Sequence, residues 1–112
     1  MITLSETDGI CVASMFGELD LTNIGEVRTI LEQVAAERSE LVVSFLRCGY
    51  FDSQALGMLL SLYATLEDRL VIVIPPNTML QRVIEITNVD KLLTIVYTLD
   101  DALAALQMRV GT

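Results

Sequence analysis

The chain has 112 residues, 53% of them apolar and 20% charged, enough for one domain with its own core and too apolar for disorder. Its net charge of -8 repels phosphate backbones and anionic headgroups, which argues against nucleic acid and membrane surfaces as direct partners. With no histidine, Ser-His-Asp and Cys-His catalysis and the common histidine metal sites are excluded.

In chain order, Ile2 and Leu4 alternate with polar neighbours, Asp8-Gly9 makes a turn, and alternation resumes through Ile10, Val12, Ser14 and Phe16. Two short strands around Asp-Gly read as a hairpin, with Gly17 breaking the second. Asp20, Thr22 or Asn23 can cap the helix that follows, whose apolar stripe is Ile24, Val27, Leu31 and Val34 and which runs to about Arg38. "LVVSFL" (Leu41 to Leu46) is a continuous apolar run, the mark of a strand covered on both faces. After it, "GYFDSQALGMLLSLYATLED" opens on Asp52-Ser53 and turns apolar from Leu56 to Leu66, which predicts a helix wrapped on most sides.

Leu70 to Ile74 is a second continuous strand, stopped by Pro75-Pro76. Asn77 or Thr78 opens a helix with Leu80, Val83, Ile84 and Thr87 inward and Gln81, Arg82 and Glu85 outward. "LLTIVY" is the last strand. Thr98 with Asp101 resembles a capping box and opens a final helix through Ala102, Leu103 and Leu106. The string is ββαβαβαβα: one α/β domain over 1–112, with a mixed, mainly parallel sheet, an N-terminal hairpin and about four helices.

No apolar run reaches the ~18 to 20 residues needed to cross a bilayer, and the start is not a secretory signal, so a cytoplasmic protein is expected. Cys11 and Cys48 lack CxxC spacing and read as buried or half-buried free thiols. In open α/β sheets, sites gather beyond the carboxyl ends of the strands, where Asp20 and Asp52-Ser53 both fall. Two carboxylates and a hydroxyl there could suggest an acid/base pair or a magnesium site. Helix capping explains them better, since no base, oxyanion donor cluster or glycine-rich phosphate loop accompanies them. No enzymatic activity, metal or cofactor is expected. A response-regulator receiver would need an acidic pair after its first strand and a lysine ending its fifth; the only lysine, Lys91, precedes the last strand.

"GELDLTNIGEV" (Gly17 to Val27) followed by "FDSQALGMLL" (Phe51 to Leu60) resembles the STAS domain (sulfate transporter and anti-sigma factor antagonist), most of all the free-standing bacterial anti-sigma factor antagonists. The likeness covers almost the whole chain. The family pattern Asp-Ser-Ser/Thr-Gly-Leu-Gly is matched by Asp52, Ser53, Leu56 and Gly57, whereas Gln54 replaces the second hydroxyl residue and Ala55 the first glycine. Ser44 stands where many members carry an aspartate.

The resemblance implies a non-catalytic protein that binds an anti-sigma factor which is also a serine kinase, and so frees a sigma factor. Phosphorylation of Ser53 ends that binding and a phosphatase restores it. The partner surface it implies comprises Asp20, Thr22, Asn23, Asp52, Gln54, Leu56 and Gly57. The alternative is a STAS subunit that is never phosphorylated and serves as a docking piece in a larger signalling or lipid-transport assembly.

Overall fold

In the computed structural model, which describes residues 1–110 with side chains through Gln107, the expected order of elements is present. The strands are β1 (Ile2–Thr7), β2 (Ile10–Leu19), β3 (Leu41–Phe51), β4 (Leu70–Val73) and β5 (Thr94–Val96). The helices are α1 (Ile24–Glu37), α2 (Ser53–Leu66), α3 (Met79–Thr87) and α4 (Leu99–Val110). Short 3-10 turns at Glu67–Arg69 and Val89–Lys91 lead into β4 and β5.

The five strands lie side by side in chain order; β1 and β2 are antiparallel and the other pairs parallel. A right-handed crossover packs its helix on a fixed side of the sheet. Because the strand order never reverses, α1, α2 and α3 all fall on one face. Their inward residues (Val27, Leu31, Met58, Leu59, Leu80 and Ile84 among them) meet Ala13, Met15, Val43, Phe45 and Ile72 in the main core. The last helix is no crossover, so α4 is free to cover the opposite face, where Ala102, Leu103 and Leu106 pack on Ile10, Val12, Val42, Val71 and Val73. The start of β3 and the whole of β4 read as uninterrupted apolar runs because both faces are covered there. Cys11 and Cys48 are buried free thiols, and burial pushes both above the usual thiol range.

Local chemistry sets the helix starts. Thr78 caps α3 by accepting the Gln81 N–H at 3.4 Å, and Thr98 accepts the Asp101 N–H at 3.0 Å at the start of α4. Asn77 has a left-handed φ of 59° just before the α3 cap, where an asparagine is among the few residues that adopt it readily.

Several boundaries depart from the sequence reading. Gly17 does not end β2. It sits at φ +83° between two register shifts against β3, and the strand continues to Leu19. A glycine readily adopts the positive φ that such an irregularity can need, and a bulge bends a strand without ending it. For the same reason β3 outruns its apolar stretch, passing Leu46 and Arg47 to end at Phe51. The α2 helix is not wrapped on most sides: Ala55, Leu56, Met58, Leu59, Leu62 and Leu66 face the core, while Gly57, Leu60 and Ala64 face solvent. The mean hydropathy of that stretch concealed an ordinary one-sided helix. Thr87 points outward, its hydroxyl donating to the Val83 carbonyl at 2.7 Å. Only Thr94–Val96 of "LLTIVY" pairs in the sheet.

Candidate functional site

The bulged extensions of β2 and β3 place two loops together. Leu19 and Phe51 are register partners at the very ends of these strands, both almost completely buried. Phe51 is held by edge-to-face packing on Phe45, with ring centroids 5.0 Å apart. The next residue on each strand is an aspartate. Adjacent strands are ~4.8 Å apart, so Asp20 and Asp52 leave the sheet as neighbours at its carboxyl edge.

The first loop is locked by its own side chains. Asp20 Oδ1 accepts the Thr22 N–H at 2.9 Å and also the Thr22 hydroxyl. Asn23 Oδ1 accepts the Asp20 N–H at 3.1 Å, and Asn23 Nδ2 donates to the Glu18 carbonyl at 2.8 Å. The two bonds from Thr22, the hydroxyl first, hold the Asp20 carboxyl below the usual range. None of the three side chains caps α1 as the sequence reading expected. Asn23 occupies the cap position without a side-chain bond to the helix, and its amide clamps the strand end instead. The clamped turn carries Leu21 at its tip, 70% exposed. The sequence reading passed over this residue. Its signal was an apolar side chain between hydrogen-bonding turn residues, one turn ahead of the helical stripe.

The second loop is a capped helix start. Asp52 has extended backbone angles and its Oδ1 accepts the N–H groups of Gln54 at 3.0 Å and Ala55 at 3.4 Å. Ser53 is therefore the first residue of α2, and it is exposed. Among the described residues its hydroxyl has no hydrogen-bond partner. Gln54 and Gly57 share the exposed side, and a methyl at Gly57 would meet nothing within 4 Å, so packing does not require glycine there. Leu56 is only 7% exposed and belongs to the core, leaving a partner little of it to touch. Tyr50, which was not anticipated, is 45% exposed beside Phe51. Ser44 is buried and lies eight residues before Asp52, roughly 25 Å along the strand at ~3.3 Å per residue, so its identity does not bear on this surface.

The surface thus brings together Asp20, Leu21, Thr22, Asp52, Ser53, Gln54 and Gly57. Each carboxylate accepts backbone amides through its Oδ1 and so holds its own loop. An open hollow lined by Asn77, Thr78, Gln81 and Arg82 lies at the start of α3 instead.

A sequence model of the family described as "Mlab, STAS domain" matches residues 2–96. Among solved structures, the fold is similar to an anti-sigma factor antagonist from Mycobacterium paratuberculosis, at 26% identity and a TM-score of 0.88, over 96% of this chain and 93% of that one. A putative anti-sigma factor antagonist from Thermotoga maritima aligns at 16% identity and a TM-score of 0.83, over 95% and 94% of the two chains. The Bacillus cell fate determinant SpoIIAA in its phosphorylated form aligns at 18% identity and a TM-score of 0.66, over 93% and 97%. No curated protein matches the chain.

Proposed function

We propose that this chain, which belongs to the STAS domain family, is an anti-sigma factor antagonist whose docking is ended by a phosphate on Ser53. In the unmodified state the surface formed by Asp20, Thr22, Asn23, Asp52, Gln54 and Gly57 binds an anti-sigma factor that is also a serine kinase. The sigma factor held by that partner is thereby released. The kinase transfers the γ-phosphoryl group of ATP to the Ser53 hydroxyl, and a phosphatase removes it. The chain itself is a binding protein, and nucleotide belongs to the kinase.

The observation that carries this reading is the placement of Ser53: exposed, at the first position of α2, with its hydroxyl unengaged among the described residues, beside the loop that holds Asp20. A kinase can reach such a hydroxyl without unfolding anything. The geometry also supports a switch acting across an interface rather than through the fold. A phosphate at a helix start is ordinarily favoured by free N–H groups and the helix dipole. Here Asp52 already takes the N–H groups of Gln54 and Ala55. The phosphate, with roughly -1.5 to -2 charge, is left facing outward next to a carboxylate, where an approaching partner must desolvate or repel it.

The test is incubation with the cognate kinase and ATP, read by intact mass. A gain of one phosphate in the wild type and none in Ser53→Ala supports the reading; an unmodified wild type contradicts it. A second reading retains the docking surface and drops the modification, making the chain a subunit of a larger signalling or lipid-transport assembly. Gln54 and Ala55, which stand where the antagonist pattern has a hydroxyl residue and a glycine, favour it. Tight binding with no phosphate gained selects it.

A further inference from the structure

Resting on the docking reading above, we propose that Asn23 is the positioning residue of the docking turn. Its amide holds Leu21 outward as a preset anchor for an apolar pocket on the partner, so that the turn supplies grip and the start of α2 supplies the switch. Four residues, Asp20 to Asn23, connect β2 to α1, and none is glycine or proline. A short link of this kind has many conformations open to it, and an apolar side chain in it gains by folding back onto the protein. Leu21 does the opposite and is 70% exposed.

A lone exposed leucine means little by itself. This one stands on a turn whose shape is fixed from within: the Asp20 carbonyl accepts the Asn23 N–H at 3.2 Å and the Ile24 N–H at 2.9 Å, and the Asp20 carboxylate accepts from Thr22. What ties that turn to the sheet is the half-buried Asn23 side chain, with Nδ2 donating to the Glu18 carbonyl at 2.8 Å and Oδ1 accepting the Asp20 N–H at 3.1 Å. Register between β1 and β2 ends at Met15, with one further bond from the Phe16 N–H to the Met1 carbonyl. Beyond it, a single amide takes up the carbonyl and the N–H that a neighbouring strand would otherwise pair.

Asn23 forgoes its local role to do this. It occupies the cap position of α1 with no side-chain bond to the helix, although an asparagine there ordinarily accepts an N–H two or three residues on. A residue that breaks a local rule in favour of a turn with an exposed leucine at its tip is arranged for a partner rather than for the helix. The clamp acts on grip alone, because Ser53 stands on a helix capped separately by Asp52. If the unclamped turn is in its docking form a tenth of the time, the apparent affinity falls about tenfold, while phosphoryl transfer within the assembled complex is unchanged.

Asn23→Ser tests this, since a serine can cap α1 but is too short to reach both Glu18 and Asp20; Asn23→Ala is the second variant, and circular dichroism checks that both fold. Phosphorylation of Ser53 by the cognate anti-sigma factor kinase and ATP is followed with the full chain as the varied substrate. The expected result is a KM raised about tenfold with kcat unchanged. In a Leu21→Ala background the same substitution should add less than about twofold, because it acts through that side chain. NMR titration of the unbound chain reports the turn itself: the Asp20 carboxyl, held low by Thr22, should rise toward the ordinary range in Asn23→Ser. A wild-type KM in the folded variants overturns the proposal, as does an equal loss in the Leu21→Ala background or a fall in kcat alone. A wild type that binds the anti-sigma factor yet gains no phosphate ends the switch at Ser53 and not the clamp, which is then judged by the same tenfold loss in Kd. A wild type that does not bind overturns both.

Discussion

Placing a permanent negative charge at position 53 separates the two ways a phosphate could work. In Ser53→Asp, the new carboxylate stands at the first position of α2, where the helix dipole favours it by about 0.3–1 kcal/mol. Asp52, the preceding residue and cap, opposes it only weakly, since adjacent side chains do not face each other and both carboxylates are open to solvent. Both effects are small and opposite in sign, so the fold should change in stability by less than about 1 kcal/mol, which for a chain of this size is about 5 °C in Tm. Docking has no such cancellation. One like-charge pair at ~4 Å with an effective dielectric of ~20 costs about 4 kcal/mol, on the order of a thousandfold in Kd at the upper end. Salt and side-chain rearrangement reduce this, so a loss between about tenfold and a thousandfold is expected. Thermal unfolding by circular dichroism and titration calorimetry against the proposed partner, an anti-sigma factor, measure the two quantities on the same preparation. A variant that melts more than about 8 °C lower, or one that binds as tightly as the wild type, refutes the reasoning.

Three further outcomes follow from the same surface. Asp52→Ala removes the acceptor of the Gln54 and Ala55 N–H groups and should lower stability by about 0.5–2 kcal/mol in urea unfolding, while Asp52→Asn, which can still cap, should lose much less. Leu21→Ala should leave stability unchanged because the side chain is 70% exposed, yet weaken docking by about 2 kcal/mol if this tip fills a pocket on the partner. Thr22→Val removes the hydroxyl bond that contributes most to depressing Asp20 and should raise the carboxyl toward the ordinary range in an NMR titration. A group whose folded pKa is depressed adds stability above its unfolded pKa, ~3.9 for aspartate. That contribution is lost as pH falls through the lower folded value, so the wild-type turn should stay intact across neutral and mildly acidic pH and open only in strong acid.

Much of this architecture was legible in the sequence because its signals agree at several levels. Apolar runs of strand length, Pro75-Pro76 after β4, and Thr78 and Thr98 ahead of their helices all mark the same boundaries that the backbone adopts. What escaped was governed by relations between segments. The extension of β2 through Gly17 depends on β3 running alongside it with two register shifts, and no local pattern announces a bulge shared between strands. The exposed side of α2 escaped because apolar composition does not state which face is covered; α1 and the sheet take one side of that helix, and among the described residues nothing takes the other. Asn23 looked like a cap by residue type, but its amide found the Glu18 carbonyl, brought close by the turn that Asp20 and Thr22 build. Leu21 escaped for a related reason: its exposure is created by that turn.

The same turn bears on whether this edge of the sheet could be a catalytic site. Asp20 and Asp52 emerge from neighbouring strands, as two carboxylates in an acid/base pair would. A base of that kind needs a free lone pair directed at the substrate and a pKa near the working pH. Asp20 moves the opposite way, its carboxyl pulled lower by the Thr22 hydroxyl and N–H. Asp52 directs its Oδ1 at the backbone of its own helix. Each carboxylate therefore fixes a loop, and what those loops hold out to solvent is a hydroxyl at Ser53, a leucine at position 21 and the open helix face at Gly57. On the reading proposed above, these rigid loops, with a reachable hydroxyl beside an apolar tip, are what another protein would grip and mark. The acidic pair contributes fixed charge to that surface, and this is the charge a phosphate on Ser53 would add to.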